Sequence, residues 1–155
     1  MRLKFLWPGK TKSPEMRGLV DFYAGRIGTM AQVEIVETRE ARGLDERSPD
    51  KVMETEARGL EKHLEGVYSI CLLDDGKEMA SGEFARFLRA RAEDAVRPPV
   101  FVVGGFLGLA ERIAERADLR LSLSRLTFSH ELCRVVLLEQ VYRALTIIRG
   151  RHYAK

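Results

Sequence analysis

The sequence predicts an α/β fold, a mostly parallel sheet flanked by helices. Three observations carry that expectation. Strand-like and helix-like stretches alternate along the chain. Proline, glycine and capping serines punctuate them. The last helix-like stretch, from Glu131 to Ile148, is apolar all round: twelve of the seventeen residues from Leu132 onward are apolar, the pattern of a helix covered on most sides.

The elements follow in order. Leu3, Phe5 and Trp7 alternate with Arg2, Lys4 and Leu6 as a first strand, ended by Pro8-Gly9. Ser13-Pro14 places a cap before a proline at the first helical position, and Met16, Leu19, Val20, Tyr23 and Ile27 keep helical spacing until Gly28. Val33, Ile35 and Val36 mark a second strand, and a charged stretch over 38–47 reads as a solvated loop. Ser48-Pro49 repeats the cap signal for a helix running to about Leu64. A short strand over 69–73 is expected to end at Asp74-Asp75-Gly76. Ser81 is expected to cap a third helix carrying Phe84, Phe87 and Leu88. Pro99 precedes a strand over 100–103, a glycine-rich turn leads into a short charged helix over 110–116, and Leu119, Leu121 and Leu123 alternate as a last strand.

With 155 residues the chain is expected to form one domain over 1–155. It is 45% hydrophobic and 32% charged, the balance of a globular protein rather than a disordered one. No apolar run approaches the ~18 residues of a membrane span, and the N-terminus lacks the apolar stretch of a secretory signal. Cys71 and Cys133 both lie in apolar runs and read as buried thiols, which points to the cytoplasm. The formal charge of +3 hides an asymmetry. Residues 1–17 and 141–155 each carry a net +4, so the 123 residues between them sum to −5. Two basic ends meeting in space would offer a polyanion one positive patch; solvated terminal lysines and arginines would read the same way.

Much familiar chemistry is missing. His63, His130 and His152 have no metal-ligand spacing, there is no C-x-x-C, and no metal is expected. There is no G-x-S-x-G elbow and no phosphate-binding loop. Two positive signals remain. Gly104-Gly105-Phe106-Leu107-Gly108 follows a buried strand, where glycine lets backbone approach a ligand; a tight strand-to-helix turn would look alike. Leu123-Ser124-Arg125-Leu126-Thr127-Phe128 joins the last strand to the long helix without glycine or proline. Its amides suit an adenine edge, and an ordinary connection would serve as well.

The runs VFVVGGFLGL, LSLSRLTFSHEL and RVVLLEQVYRALTIIRGRHY, with LLDDGK and the opening RLKFLWPGK, resemble one enzyme family over essentially the whole chain. It is the large-subunit (23S) ribosomal RNA pseudouridine N3-methyltransferases, of the knotted SPOUT class. The resemblance implies a homodimer through the apolar helix, a C-terminal trefoil knot, S-adenosylmethionine as cofactor, and large-subunit ribosomal RNA, within the assembled ribosome, as substrate. It places the cofactor against Leu72, Gly104, Gly105 and the stretch Leu123, Ser124, Arg125, Leu126, Thr127 and Phe128, with Leu72, Leu126 and Phe128 sandwiching adenine. It places RNA against Arg149, Arg151, His152, Tyr153 and Lys155. Candidates for handling the N3 proton are Tyr153, His152 and Arg143.

Two departures matter. Ala154 stands where the family usually has histidine, and Ser129 where it has proline. Tyr142 and Trp7 read as packing residues, His130 as a first-turn residue ordering the loop, and Glu139 as the partner of a basic residue at the dimer interface. Arg143 reads either as an RNA contact or as a pairing residue across the dimer. A related methyltransferase acting on another ribosomal or transfer RNA remains open at this stage, as does a binding module without activity.

Overall fold

A computed structural model of the chain describes residues 1–41 and 48–153. Arg42, Arg47, Ala154 and Lys155 therefore lie outside the described residues. The elements are β1 (Arg2–Pro8), α1 (Pro14–Gly28), β2 (Gln32–Thr38), α2 (Pro49–Glu61), β3 (Tyr68–Glu78), α3 (Ser81–Ala92), β4 (Pro99–Val102), α4 (Glu111–Glu115), β5 (Leu119–Ser122) and α5 (His130–Ile148).

The sheet is parallel throughout, in the order β2-β1-β4-β3-β5. Helices cover both faces, which is why the strands read as continuous apolar runs. On one face Leu3, Phe5, Ile70 and Phe101 pack with Val20 and Ile27 of α1, Phe84 and Leu88 of α3, and Val135, Leu138 and Val141 of α5. On the other, Leu6, Cys71, Val100 and Val102 pack with Ala57 and Leu60 of α2 and Ile113 of α4. Each such fully buried large apolar side chain contributes roughly 1.5–3 kcal/mol. α5 packs against both α1 and α3, which covers most of its apolar residues, while Ile147 stays exposed.

The expected cap at Ser13 is present: its side chain accepts the Met16 N–H at 3.3 Å. Three expectations need correction. Ser48 precedes α2 without a side-chain capping bond, and α2 ends at Glu61 rather than Leu64. Ser81 is the first residue of α3, not its cap; Ala80 takes that place, donating its N–H to Glu83 Oε2 at 2.8 Å. Ser81 Oγ instead lies 2.9 Å from Gln140 Oε1 on α5.

The third correction shapes the site. β3 does not stop at Asp74-Asp75-Gly76. It pairs with β5 from Ile70↔Leu119 to Leu72↔Leu121, shifts register, and resumes at Lys77↔Leu121 and Glu78↔Ser122. The turn signal was real but local, and tertiary bonds carry the strand past it. Ser122 Oγ donates to the Asp74 carbonyl at 3.0 Å, and Arg120 holds Asp75 at 3.1 Å. A Cβ on Gly76 would sit 2.7 Å from the Arg120 carbonyl carbon, so β5 passes tightly against this arch.

Candidate functional site

Parallel strands all present their carboxyl ends at one edge, where α/β sheets hold ligands. Here the ends of β4 and β5 and the register shift of β3 after Leu72, neighbours in the sheet, open on one crevice of about 530 Å³. That lies in the usual range for small-molecule sites, roughly 300–1,000 Å³. β3 contributes Leu72, Leu73 and Asp74. The turn after β4 contributes Val103 to Leu109, and the segment after β5 contributes Leu123, Ser124 and Leu126 to Ser129. His130 and Cys133, in the first turn of α5, close it.

Eight of the nine expected cofactor positions thus line one cavity: Leu72, Gly104, Gly105, Leu123, Ser124, Leu126, Thr127 and Phe128. Arg125 is the exception: its side chain does not line the cavity. Its side chain is 87% exposed and pairs outward with Glu78 at 3.4 Å, because a guanidinium gains nothing from an apolar wall.

The walls are preorganised. Thr127 Oγ1 donates to Asp74 Oδ2 at 2.8 Å, tying the 123–128 segment to the β3 arch. Ser124 Oγ accepts the Leu126 N–H at 3.0 Å. Ser129 caps α5 by accepting the Leu132 N–H at 3.4 Å, so it replaces the family's proline with a working cap. A Cβ on Gly104 would lie 2.6 Å from the Gly108 carbonyl carbon and 2.8 Å from the Leu109 nitrogen. The glycine is therefore needed for the turn to fold back on itself; a larger side chain would break the wall rather than fill the crevice.

His130 faces the crevice in the first turn of α5, its ring edge-on to Phe106 with centroids 6.3 Å apart. Burial and the positive Arg134 hold its pKa below the usual imidazole value, so it is neutral at pH 7. Cys133 is also at the wall, and burial pushes its thiol up to about 11, too high for a ready nucleophile. Cys71, fully buried, is pushed up to about 12.

The expected RNA-contact residues gather elsewhere. Arg151, His152 and Tyr153 of the tail, with Arg143, Gln140, Ile147 and Ser81, line a second hollow of about 580 Å³. Tyr153 stands edge-on to Tyr142, with centroids 4.9 Å apart, and the Arg143 guanidinium lies 4.4 Å over its ring. Arg143 also binds Glu139 at 2.6 Å, so within one chain Glu139 finds its basic partner on its own helix. Burial and the neighbouring Tyr23 hydroxyl push the Tyr153 phenol up, which makes it a proton donor rather than a phenolate base. Arg149 is not part of this hollow; its guanidinium donates to the Met30 carbonyl at 2.7 Å and ties the end of α5 to the α1–β2 corner. The basic N-terminal residues are largely matched by acids: Lys4 with Glu34, Lys12 with Glu40, Arg17 with Asp21 and Glu37.

Two residues near the crevice gave no sequence signal. Arg134 is fully buried, donating to Thr11 Oγ1 at 3.0 Å and the Pro8 carbonyl at 2.7 Å, with Trp7 beneath it at 5.0 Å. Glu56 is buried on α2. A partner search along sequence finds neither, since the groups around Arg134 lie more than 120 residues away. Among the described residues no three histidine, cysteine or acidic side chains cluster to hold a metal ion, and no helix is long and apolar enough to cross a membrane.

Comparison with known proteins bears on this geometry. The family described as predicted SPOUT methyltransferase matches residues 1–154. Proteins named ribosomal RNA large subunit methyltransferase H are similar over nearly their full lengths. That of Geobacter metallireducens is 42% identical, covering 99% of this chain and 98% of the relative. That of Geotalea daltonii is 40% identical, covering 99% of each. That of Thermodesulfovibrio yellowstonii is 40% identical, covering 98% and 97%. Among solved structures, a probable methyltransferase from Bordetella pertussis Tohama I superposes with a TM-score of 0.56 at 17% identity, covering 93% of this chain and 96% of that one. At that identity the likeness speaks for the fold alone.

Proposed function

The chain belongs to the SPOUT methyltransferase family, and on that footing we propose that it methylates N3 of a pseudouridine in large-subunit ribosomal RNA, with S-adenosylmethionine as donor. The observation that carries the reading is the crevice at the ends of β4 and β5 and the register shift of β3, in a chain that matches its relatives over 99% of each. The cofactor fits this crevice: it is apolar where adenine would lie, its volume suits a small ligand, and the Gly104 turn forms a cradle that a Cβ would destroy. Leu72, Leu126 and Phe128 hold the adenine faces, and the backbone of the 123–128 segment reads its edge. The sulfonium, when bound, supplies an already activated methyl group, so the protein's task is alignment and proton removal.

The tail hollow takes the RNA. Arg143, Arg151 and His152 suit phosphate and base edges, and Tyr153 offers a ring for stacking. The target base has to leave its stack to present N3. With the Tyr153 phenol pushed up, His152 is the better acceptor for the N3 proton. The crevice and the tail hollow share no lining residue within one chain. A homodimer lets the tail of one copy meet the crevice of another, which supports the dimer the resemblance implies. The match to the SPOUT family supports the trefoil knot. The enzyme would act in the cytoplasm, on assembled ribosomes.

The test is transfer of labelled methyl from S-adenosylmethionine to ribosomes lacking this modification, with pseudouridine-free ribosomes as control. Label at N3 of one pseudouridine, in the first sample only, is expected. Label at any other position, or equal label in both samples, would redirect the substrate. No label and no cofactor binding would leave an RNA-binding module.

A further inference from the structure

Gly105 has the crevice on one side and a carboxylate on the other. It lines the cavity, yet a Cβ built on it would lie 2.5 Å from Glu56 Oε2. Glu56 itself does not line the crevice; it reaches the turn from behind, from α2. The residue is 5% exposed, and its Oε2 has no hydrogen-bond partner among the described residues. Buried polar groups are almost always paired, and an orphaned buried acceptor is costly.

The surroundings agree. Arg134 is the cation acting on Glu56; its Nη1 and Nη2 are bound to Thr11 and the Pro8 carbonyl, while its Nε has no partner among the described residues, and burial, against the Ala41 backbone amide, pushes the Glu56 carboxyl up. Glu37, Glu40 and Glu131 also face Arg134. Lys12 and Arg17 are paired with Glu40 and Glu37, and Glu131 accepts the backbone amides of Lys12 and Ser13. Among the described residues the groups so named are four carboxylates and three cations, and Glu56 is the carboxylate whose Oε2 has no donor.

We propose that Glu56, set against the back of Gly105, is a fixed countercharge that makes the crevice prefer a cationic sulfonium cofactor over its neutral thioether product. This rests on the reading of the crevice as the donor site. Burial raises the Glu56 pKa, and a cation bound against Gly105 stabilises the ionised carboxylate, an attraction worth about tenfold or more where water screens poorly. S-adenosylmethionine carries that positive charge at sulfur and S-adenosylhomocysteine does not, while both carry the same amino acid and adenosine ends. The charge thus assists loading before transfer and release after it. It does not accelerate the transfer itself, because the sulfonium loses its charge on the way to the transition state. Gly105 belongs to the same device, since any side chain there would push the carboxylate away.

The experiment is calorimetric titration of the full-length protein, Glu56→Gln and Glu56→Met with each of the two ligands. The wild-type protein is expected to bind S-adenosylmethionine more tightly than S-adenosylhomocysteine. In both variants the S-adenosylmethionine Kd is expected to rise about tenfold, with the S-adenosylhomocysteine Kd unchanged. Parallel loss of both ligands, or loss of neither, would overturn the proposal and leave Glu56 as a mere prop of the turn. A wild-type preference for the thioether would overturn it whether or not the variants fold. If the wild-type protein binds neither ligand, it is the donor-site reading that fails.

Discussion

The crevice and the tail hollow are built from opposite materials, though their volumes are nearly equal. The crevice is made of strand ends and the turns that leave them, and its side chains are fixed by bonds across long sequence separations, as in Thr127 to Asp74. The tail hollow is made of the second half of α5, the few residues after it and Ser81 at the start of α3, held by the Arg143–Tyr153 stack and the Tyr142–Tyr153 edge contact. A small rigid ligand suits the first, because preorganised walls lower the ordering cost of binding. A large polyanion suits the second, where exposed cations on a short tail adapt to phosphate positions. On the proposed function, the two halves of a transfer reaction fall to two regions that can be damaged separately.

The largest expected effect is at the rigid end. Gly104→Val puts a branched side chain where a single Cβ already meets backbone at 2.6 Å. Calorimetry is expected to show cofactor affinity lost by more than about a hundredfold, with the thermal transition retained. Wild-type affinity in this variant would mean that the ligand sits elsewhere. Gly105→Ala sharpens the point: its Cβ meets a flexible carboxylate rather than backbone, so it is expected to cost far less than Gly104→Val.

The next effect is at the adaptable end. Ending the chain after Gly150 removes Arg151, His152 and Tyr153 from the hollow and leaves every crevice residue in place. Methyl transfer to ribosomes is expected to fall by on the order of a hundredfold, with cofactor binding unchanged. Equal loss of both would break the division between the two regions. A milder probe within the same hollow is Tyr153→Phe, which keeps the ring over which Arg143 lies and deletes the hydroxyl. A loss of about tenfold in kcat/KM for ribosomes would match one donor bond in the bound state. No loss would reduce Tyr153 to its ring.

The same contrast separates what the sequence made legible from what it did not. The crevice was readable because its parts are runs: a glycine turn after an apolar strand, and six consecutive residues before a helix. A run names backbone rather than side chains: Arg125 belongs to the 123–128 run, yet its side chain points outward to Glu78. Asp74-Asp75-Gly76 carries every mark of a turn, and only the pairing of Lys77 and Glu78 with β5 shows that the strand continues. Glu56 sits in a charged helix and reads as a solvated acid; its burial depends on the glycine turn nearly fifty residues away. Arg134 stands in an apolar run that gives no hint of Trp7, Pro8 and Thr11 closing round it. Local pattern shows which residues share an element, whereas long-range packing decides which polar groups become buried.

The smallest expected effect tests whether the crevice wall is as dry as its geometry implies. Burial and Arg134 lower the His130 pKa in the folded protein, against the raising influence of Glu131 and Glu40. Between the usual value of 6.5 and the folded value, the unfolded chain binds a proton that the folded one does not, so stability rises with pH across that window. The contribution is fully present above 6.5 and is lost as pH falls through the folded value. His63 shifts in the same direction, also through burial, and adds to the slope. Glu131 and Asp118, both lowered, act only at more acid pH, as carboxylates protonate. Thermal melts of the wild type and His130→Gln from about pH 7.5 down to about pH 5.5 isolate the imidazole. The wild-type melting temperature is expected to fall more steeply, the two curves meeting in slope above neutrality. Parallel curves over the whole range would mean that water reaches His130 freely. The crevice wall would then be an adaptable surface like the tail hollow, and not its opposite.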